Sequence, residues 1–255
     1  MSKNIIVFEN VYKSFGKQTV LEDMSLNIRE GELFILLGGS GTGKTVLLKH
    51  ILGLIRPNKG NINVLDHPVS EMTEKELLPF RTQIGMVFQS AALFNSLSVY
   101  DNIAFPLREL HFYQSEEKIK EVIMKNASML GLEDFMGKMP SELSGGMMKR
   151  VALTRSMCLN SEIVLYDEPT SGLDPIMSQQ VDEIIHRTNR EFNKTTVVVT
   201  HDLESAFNLA DRIGVLYQGK LIFCGEPEQL RESDHSYIRE FLQSRKSFAR
   251  KNDSG

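Results

Sequence analysis

The sequence predicts an α/β fold: a mainly parallel sheet with helices on both faces, an N-terminal antiparallel β part and an inserted helical subdomain. A glycine-rich loop stands between the apolar run 33–37 and the helix-like segment 46–54, which is a strand–loop–helix order. Apolar β-branched runs alternate with helical patterns after residue 161, and such alternation is typical of parallel sheets. Residues 89–160 lose the strand pattern, so we expect a mostly helical insertion there.

Local patterns place the individual elements. Period-two apolar runs predict strands at 5–8, 20–28, 61–65, 84–88, 163–166, 195–199 and 213–217. Helical spacing predicts helices at 115–130, 148–159, 175–192 and 203–210. A capping box that begins at Thr73 predicts a further short helix, which we expect Pro79 to limit.

Composition and net charge narrow the functions and cellular settings that the chain fits. The 255-residue chain has a formal net charge of −4, which argues against a general nucleic-acid coat, and we expect no nucleic-acid partner. Two cysteines, Cys158 and Cys224, are too few for a disulfide scaffold, so a reducing, cytoplasmic setting is expected. We find neither a run of about 18 apolar residues nor a signal-peptide pattern, and therefore expect any membrane function to depend on a partner.

The glycine-rich loop predicts a nucleotide site. It fits the pattern G-x-x-x-x-G-K-[ST], whose free backbone N–H groups and following helix cradle phosphates. Lys44 is expected to contact the β- and γ-phosphates of ATP, and the Thr45 hydroxyl to ligate Mg²⁺. The expected phosphate-binding residues are Gly38, Gly39, Ser40, Gly41, Thr42, Gly43, Lys44, Thr45 and Val46. This arrangement resembles the P-loop NTPase fold of the RecA-like type.

Two carboxylates end the strand predicted at 163–166. Asp167 suits a Mg²⁺ role, while Glu168 should point elsewhere because side chains alternate along a strand. Glu168 is therefore a candidate general base that polarises the attacking water. The alternative is an acidic strand end at the protein surface.

Gln89 and His201 also follow predicted strands directly. The amide oxygen of Gln89 is a candidate ligand for Mg²⁺ or for the attacking water, and His201 is a candidate partner of the γ-phosphate. Taken alone, neither residue distinguishes catalysis from surface packing. The other five histidines lack this position and are expected to be surface or packing residues.

A second small-residue segment, Ser144, Gly145 and Gly146, precedes the helix predicted at 148–159. Small residues at a helix start form an anion-binding geometry, although the same residues also suit an N-cap with a flexible turn. Because one chain already has a phosphate loop for its own nucleotide, a second anion-binding segment needs a second source of phosphate. A symmetric homodimer would supply it, since this segment of each chain would close on the nucleotide of its partner.

The phosphate loop, Gln89, the segment around Ser144, the strand ending at Glu168, residues 171–174 and His201 occur in the order seen in ABC-type ATPases, which the chain resembles. The resemblance implies a head-to-tail dimer with two ATP, with Ser144, Gly145 and Gly146 acting in trans. It also implies that Asp174 takes part in cross-talk between the two sites, a role compatible with that of a helix N-cap. It implies that Tyr12 stacks on the base, whereas the residues alone equally allow ordinary strand packing. Gly39 stands where relatives often have proline.

Further segments, 88–94 and 100–109, are similar to those of the Mla/Mce-type lipid transporters, as is Met147 where most relatives have Gln. This resemblance implies the ATPase subunit of a membrane transporter that moves phospholipid or a related lipid between inner and outer membranes, at the cytoplasmic face of the inner membrane. Its implied partners are a permease, a Mce-type lipid-binding subunit and a small cytoplasmic regulatory subunit. Apolar residues near Phe94 are candidates for permease contact, with burial in the chain's own core as the alternative.

Together these patterns predict a single ATPase domain. Residues 1–88 and 161–230 are expected to form the αβ core, 89–160 the helical subdomain and 231–255 a C-terminal helix and basic tail. The tail is expected to be a solvated end, with a partner or acidic-lipid contact as the alternative. Three alternative functions remain open: another transported substrate, a soluble ABC protein acting on nucleic acid or ribosomes, and a nucleotide-dependent clamp without hydrolysis.

Overall fold

The computed structural model describes residues 3–110, 113, 115–159 and 161–243. Among these residues the ten strands form two sheets. Their bounds are β1 (Asn4–Phe15), β2 (Gln18–Arg29), β3 (Leu33–Leu37), β4 (Lys59–Val64), β5 (His67–Pro68), β6 (Ile84–Val87), β7 (Ile163–Asp167), β8 (Thr195–Thr200), β9 (Arg212–Tyr217) and β10 (Lys220–Gly225).

Nine helices accompany the strands in the described part of the chain. They are α1 (Lys44–Ile51), α2 (Glu74–Arg81), α3 (Val99–Glu109), α4 (Glu116–Met129), α5 (Gly145–Cys158), α6 (Pro175–Phe192), α7 (Leu203–Leu209), α8 (Pro227–Arg231) and α9 (236–243). Two short 3₁₀ segments lie at Glu133–Phe135 and Pro140–Glu142.

The larger sheet has the strand order β10-β9-β3-β8-β7-β6, and its strands are parallel except for the antiparallel β10. The smaller sheet, β2-β1-β4-β5, is antiparallel throughout. The predicted fold class is therefore confirmed. In the parallel part, the carboxyl ends of β3, β6, β7 and β8 lie at one edge, which is where α/β proteins bind ligands.

The core explains why β3 is apolar at every position. All five of its residues are buried, and they alternate between two hydrophobic clusters. Leu33, Ile35 and Leu37 face a cluster shared with α3, α4 and α5, while Phe34 and Leu36 face α1 and the small sheet. The strand that leads into the phosphate loop is thus fixed from both faces.

Two helices differ from the sequence prediction. Pro79 lies inside α2 rather than limiting it, and the helix continues to Arg81. Proline removes one helical hydrogen bond, a small loss near the end of a short helix whose Leu77 and Phe80 are buried. Helix α3, which the sequence analysis left unassigned, contains Pro106 and begins with Ser98, whose hydroxyl accepts a hydrogen bond from the Asp101 amide.

The basic tail, 244–255, lies outside the described residues. None of the helices among the described residues is long and apolar enough to cross a membrane.

Candidate functional site

The phosphate loop joins β3 to α1 in a backbone shape that two glycines make possible. Gly43, immediately before α1, has a φ of +104°, and a Cβ there would lie 2.9 Å from Val20 Cγ1. A Cβ on Gly38 would lie 2.7 Å from the carbonyl oxygen of Leu216. Side chains at these two positions would displace the loop from its neighbours.

Lys44 is buried at the floor of the loop. Its Nζ donates hydrogen bonds to the carbonyl oxygens of Gly38 and Gly39, at 2.7 and 3.0 Å, and lies 3.2 Å from Glu168 Oε1. Because a buried ammonium group needs partners, these contacts fix its position. They place a positive charge beside the loop, where a polyphosphate would bind.

Thr45 and Asp167 meet across the gap between α1 and β7. The Thr45 hydroxyl donates to the Asp167 carboxylate, with both oxygens at 3.1 Å. Burial raises the pKa of Asp167 above its ordinary value, and the hydrogen bond from Thr45 opposes that shift. A buried carboxylate beside a hydroxyl is a hard-oxygen donor pair, and it fits Mg²⁺ that keeps waters and phosphate oxygens as its other ligands. Gln89 and Thr45 line one cleft, and the Gln89 amide oxygen is a third candidate donor.

Glu168 faces away from Asp167, toward Lys44 and His201. It has a φ of +49°, an uncommon conformation for a residue with a side chain. Its Oε2 lies 2.8 Å from His201 Nδ1 and 3.4 Å from the Thr200 hydroxyl. The predicted divergence of the two carboxylates is observed, and the turn of the backbone at Glu168 directs its side chain into the cleft.

Gln89 follows β6 at the same edge of the sheet. Its Nε2 lies 3.4 Å from the Ser171 hydroxyl, and the Ser171 carbonyl accepts a 2.7 Å hydrogen bond from Lys149 of α5. The backbone beyond Gln89 is held by Arg155 of α5, which donates to the carbonyls of Ala91 and Ala92 at 3.0 and 2.9 Å. The segment after Gln89 is therefore tied to the helical subdomain.

These groups surround one open cleft of about 740 Å³. Its lining joins residues from the phosphate loop, from the sheet edge and from distant parts of the chain: Phe15, Val20, Gly39, Ser40, Gly41, Gly43, Lys44, Thr45, Val46, Gln89, Glu168, Ser171, His201, Leu203 and Phe241. Gly38, Thr42 and Asp167 complete the surroundings by hydrogen bonds to cleft residues. Val20, Leu203 and Phe241 were not predicted, because only the folded chain brings them to the loop.

Two aromatic side chains, Phe15 and Phe241, line the cleft, and Tyr12, which is predicted to stack on the base, is not among its lining residues. Tyr12 and Phe15 both lie on β1, whose pairing with β2 has register shifts between Val11 and Lys13 and between Lys13 and Ser14, so side chains do not alternate regularly there. Tyr12 is half-buried, whereas 49% of Phe15 is exposed at the cleft wall.

The segment around Ser144 does not line this cleft. Ser144 is the N-cap of α5, its hydroxyl accepting a 3.3 Å hydrogen bond from the Met147 amide. Gly145 has open space around its Cα, while a Cβ on Gly146 would lie 2.2 Å from Met177 Cε. Asp174 caps α6 through a 2.9 Å hydrogen bond from the Met177 amide, so the two helix starts adjoin at Met177.

Comparison with known proteins gives a consistent result. The family described as "ABC transporter" matches residues 21–171. The chain is 41% identical to a probable ribonucleotide transport ATP-binding protein (mkl) of Mycobacterium leprae (strain TN), covering 94% of this chain and 69% of that protein. It is 36% identical to the intermembrane phospholipid transport system ATP-binding protein MlaF of Haemophilus influenzae, covering 95% and 91%. The dimeric post-hydrolysis structure of the ATP-binding cassette MJ0796 with ADP and Pi has a TM-score of 0.80 at 32% identity, covering 87% and 98%.

Proposed function

The chain belongs to the ABC transporter family as an ATP-binding subunit, and on that premise we propose that it powers the movement of phospholipid or a related lipid between membranes. It uses ATP and Mg²⁺ and hydrolyses ATP in step with transport. The observation that best supports catalysis is the position of Glu168, which lies between Lys44 and His201 inside the cleft.

Each group in the cleft has a separate task in this proposal. Lys44 and the loop amides bind the phosphates, and Phe15 stacks on the base. Thr45 and Asp167 would hold Mg²⁺, which would neutralise phosphate charge when bound, and Gln89 would orient the attacking water. Glu168 accepts a proton from that water, while the His201 contact at 2.8 Å fixes the direction of its carboxylate.

A homodimer completes the site. Ser144 stands at the start of a 14-residue helix and away from its own chain's cleft, so its amides are available to a nucleotide held by a second copy. ATP favours the closed dimer because its γ-phosphate contacts both chains, and ADP lacks that group. Asp174, whose helix start adjoins that of α5, transmits changes between the two sites.

The surface that receives the permease lies on the helical subdomain near Phe94. Phe94 and Phe105 are 48% and 39% exposed and their rings are 4.9 Å apart, which forms an apolar patch. Leu93 and Leu97 beside it are half-buried. Buried Asn102 fixes the loop, since its Oδ1 accepts from the Phe94 amide and the two N–H groups of its Nδ2 are shared among the carbonyls of Phe94, Leu97 and Ser98, each at 3.0 Å.

The catalytic part is tested with Glu168→Gln and a matched control, Glu162→Gln. Glu162 is exposed and immediately precedes the opposite end of the same strand, β7. We expect Glu168→Gln to slow phosphate release about 10²–10⁴-fold, as for loss of a general base, while ATP still binds and dimers accumulate by size-exclusion chromatography. Glu162→Gln should hydrolyse ATP like the wild type. Equal turnover by both variants removes Glu168 from this role.

The cargo is tested by isolating the chain with its membrane partners and analysing the extracted lipid. We propose a permease, a Mce-type lipid-binding subunit and a small regulatory subunit as the partners, at the cytoplasmic face of the inner membrane. Phe94→Asp should abolish recovery of the permease, whereas Phe192→Asp, at a similarly exposed phenylalanine of α6, should not.

A second cargo is favoured by the relative named for ribonucleotide transport, which is more similar in sequence than the phospholipid relative. A purified complex that lacks phospholipid and whose ATPase responds to ribonucleotide would replace the lipid proposal. The ATPase assignment would be unaffected by that outcome.

A further inference from the structure

Lys149 is a buried charge on helix α5 to which the proposed division of tasks in the cleft gives no part. The residue is only 8% exposed, and its neighbours one turn away on the same face of the helix, Gly146 and Leu153, are buried too. Burying an ammonium group costs free energy that an apolar side chain of similar size avoids. A lysine at this position is therefore better explained by a specific contact than by packing.

The contact is made with the turn that follows the candidate general base. Lys149 Nζ donates a 2.7 Å hydrogen bond to the Ser171 carbonyl oxygen, and the Ser171 amide donates to the Glu168 carbonyl at 3.2 Å. Burial lowers the pKa of Lys149, and the Glu168 carboxylate opposes that shift, so the two charges lie within electrostatic reach. One ammonium group thus holds the turn 168–171 against α5.

Ser171 also lies beside the group proposed to orient water. Its hydroxyl is 3.4 Å from Gln89 Nε2, and both residues line the cleft together with Glu168. Lys149 does not line the cleft. Its effect on the reaction would therefore pass through Ser171 and not through contact with the nucleotide.

We propose that Lys149 is a positioning residue for ATP hydrolysis, which holds the Ser171 turn so that Gln89 and Glu168 keep their places around the attacking water. A hydrogen bond from an ammonium group is stronger than one between neutral groups, and it suits a turn that must stay in one position. Small errors in the placement of reacting groups lower a rate strongly. The inference rests on the proposed assignment of the cleft to ATP hydrolysis.

The test compares Lys149→Met, which keeps the length of the side chain and removes its charge, with Lys149→Arg, which keeps charge and donors. The matched control is Lys125→Met, the same change at an exposed lysine of helix α4. Phosphate release by the full chain gives kcat and the KM for ATP. Lys149→Met should lower kcat about ten- to hundredfold, as for loss of a hydrogen bond from a charged group. Lys149→Arg should lose less, and Lys125→Met should stay within about twofold of wild type.

Nucleotide affinity separates positioning from general support of the fold. Calorimetry with Mg-ADP, which is not hydrolysed, should give Lys149→Met an affinity within about twofold of wild type, because the phosphate loop keeps the contacts of Lys44 and Thr45. The KM for ATP should be similarly unchanged. Thermal unfolding of every variant checks that the fold is retained. If Lys149→Met is unfolded, Lys149→Gln, which is neutral and shorter, takes its place.

A double-mutant cycle with Ser171→Ala tests the route of the effect. Ser171→Ala keeps the carbonyl that Lys149 contacts and removes the hydroxyl beside Gln89. Holding the turn then no longer holds Gln89, so the double variant should lose less kcat than the product of the two single losses. Single losses that multiply would place the effect of Lys149 elsewhere and overturn the inference.

The other outcomes distinguish failure of the proposed function from failure of the Lys149 role. A wild-type chain that releases no phosphate from Mg-ATP would overturn the proposed function and this inference with it. A wild type that hydrolyses ATP, beside a Lys149→Met variant of equal kcat, would overturn the inference alone. A Lys149→Met variant whose Mg-ADP affinity falls as much as its kcat would also overturn the inference alone, since the role of the residue would then be structural.

Discussion

His50, in the last turn of α1, is expected to make the free energy of unfolding fall as the pH drops below neutral. The residue is fully buried, its Nδ1 lies 2.7 Å from the Val46 carbonyl, and its Nε2 has no hydrogen-bond partner among the described residues. Burial lowers the pKa of His50 from 6.5 to about 4, because a charged imidazole would lose its hydration.

The sign and size of the effect follow from this pKa shift. Between pH 6.5 and 4 the unfolded chain binds a proton at His50 that the folded chain does not, so acid favours unfolding. The shift corresponds to about 3 kcal/mol of unfolding free energy in total, of which about 2 kcal/mol is lost by pH 5. Stability from this residue is complete above pH 6.5.

The assay is urea unfolding of wild type, His50→Gln and the control His235→Gln at about pH 7.5 and about pH 5, on either side of the ordinary histidine pKa. His235 is exposed, and its replacement should leave the pH dependence unchanged. Asp182 acts in the opposite direction, because burial raises its pKa to about 6 and acid then favours the folded state. The contribution of His50 is the difference between wild type and His50→Gln in how much the free energy of unfolding changes between the two pH values. An identical loss of stability in His50→Gln and wild type would refute the reasoning.

Three other changes test the site and its supports. Asp167→Asn should reduce ATP hydrolysis more than about 10²-fold while metal-free ADP binding persists; undiminished phosphate release would contradict its Mg²⁺ role. Asn102→Leu should lower the free energy of unfolding by about 2–4 kcal/mol in urea, since all hydrogen bonds between its side-chain amide and the loop are lost, and an unchanged midpoint would argue against that support. Gly43→Ala should abolish Mg-ADP binding by calorimetry, because φ is +104° and Val20 is 2.9 Å from the new methyl; wild-type affinity would show that the loop adapts.

The fold was largely predictable because its signals are local. The apolar strands and the glycine-rich loop follow from runs of a few residues, and α6 matches its predicted bounds. Helix α3 was missed because Pro106 hides a helical pattern that the N-cap Ser98 and the first-turn Asp101 would have indicated.

The site was predictable only where its residues end strands or begin helices. Asp167, Glu168, Gln89 and His201 share one sheet edge by topology, so their positions follow from the strand order. Phe15 was not predicted at the cleft because the register of β1 decides which of its side chains face the phosphate loop, and α9 reaches the loop only in three dimensions.

Helix α5 is roughly 21 Å long. In the proposed dimer its N-cap, Ser144, would face the triphosphate of the second copy, and Arg155 near its other end holds two carbonyls beyond Gln89. A single helix would therefore join the nucleotide of the second copy to the segment that follows Gln89 in the first. Loss of the γ-phosphate at Ser144 would then change the position of the Gln89 amide in the other nucleotide site.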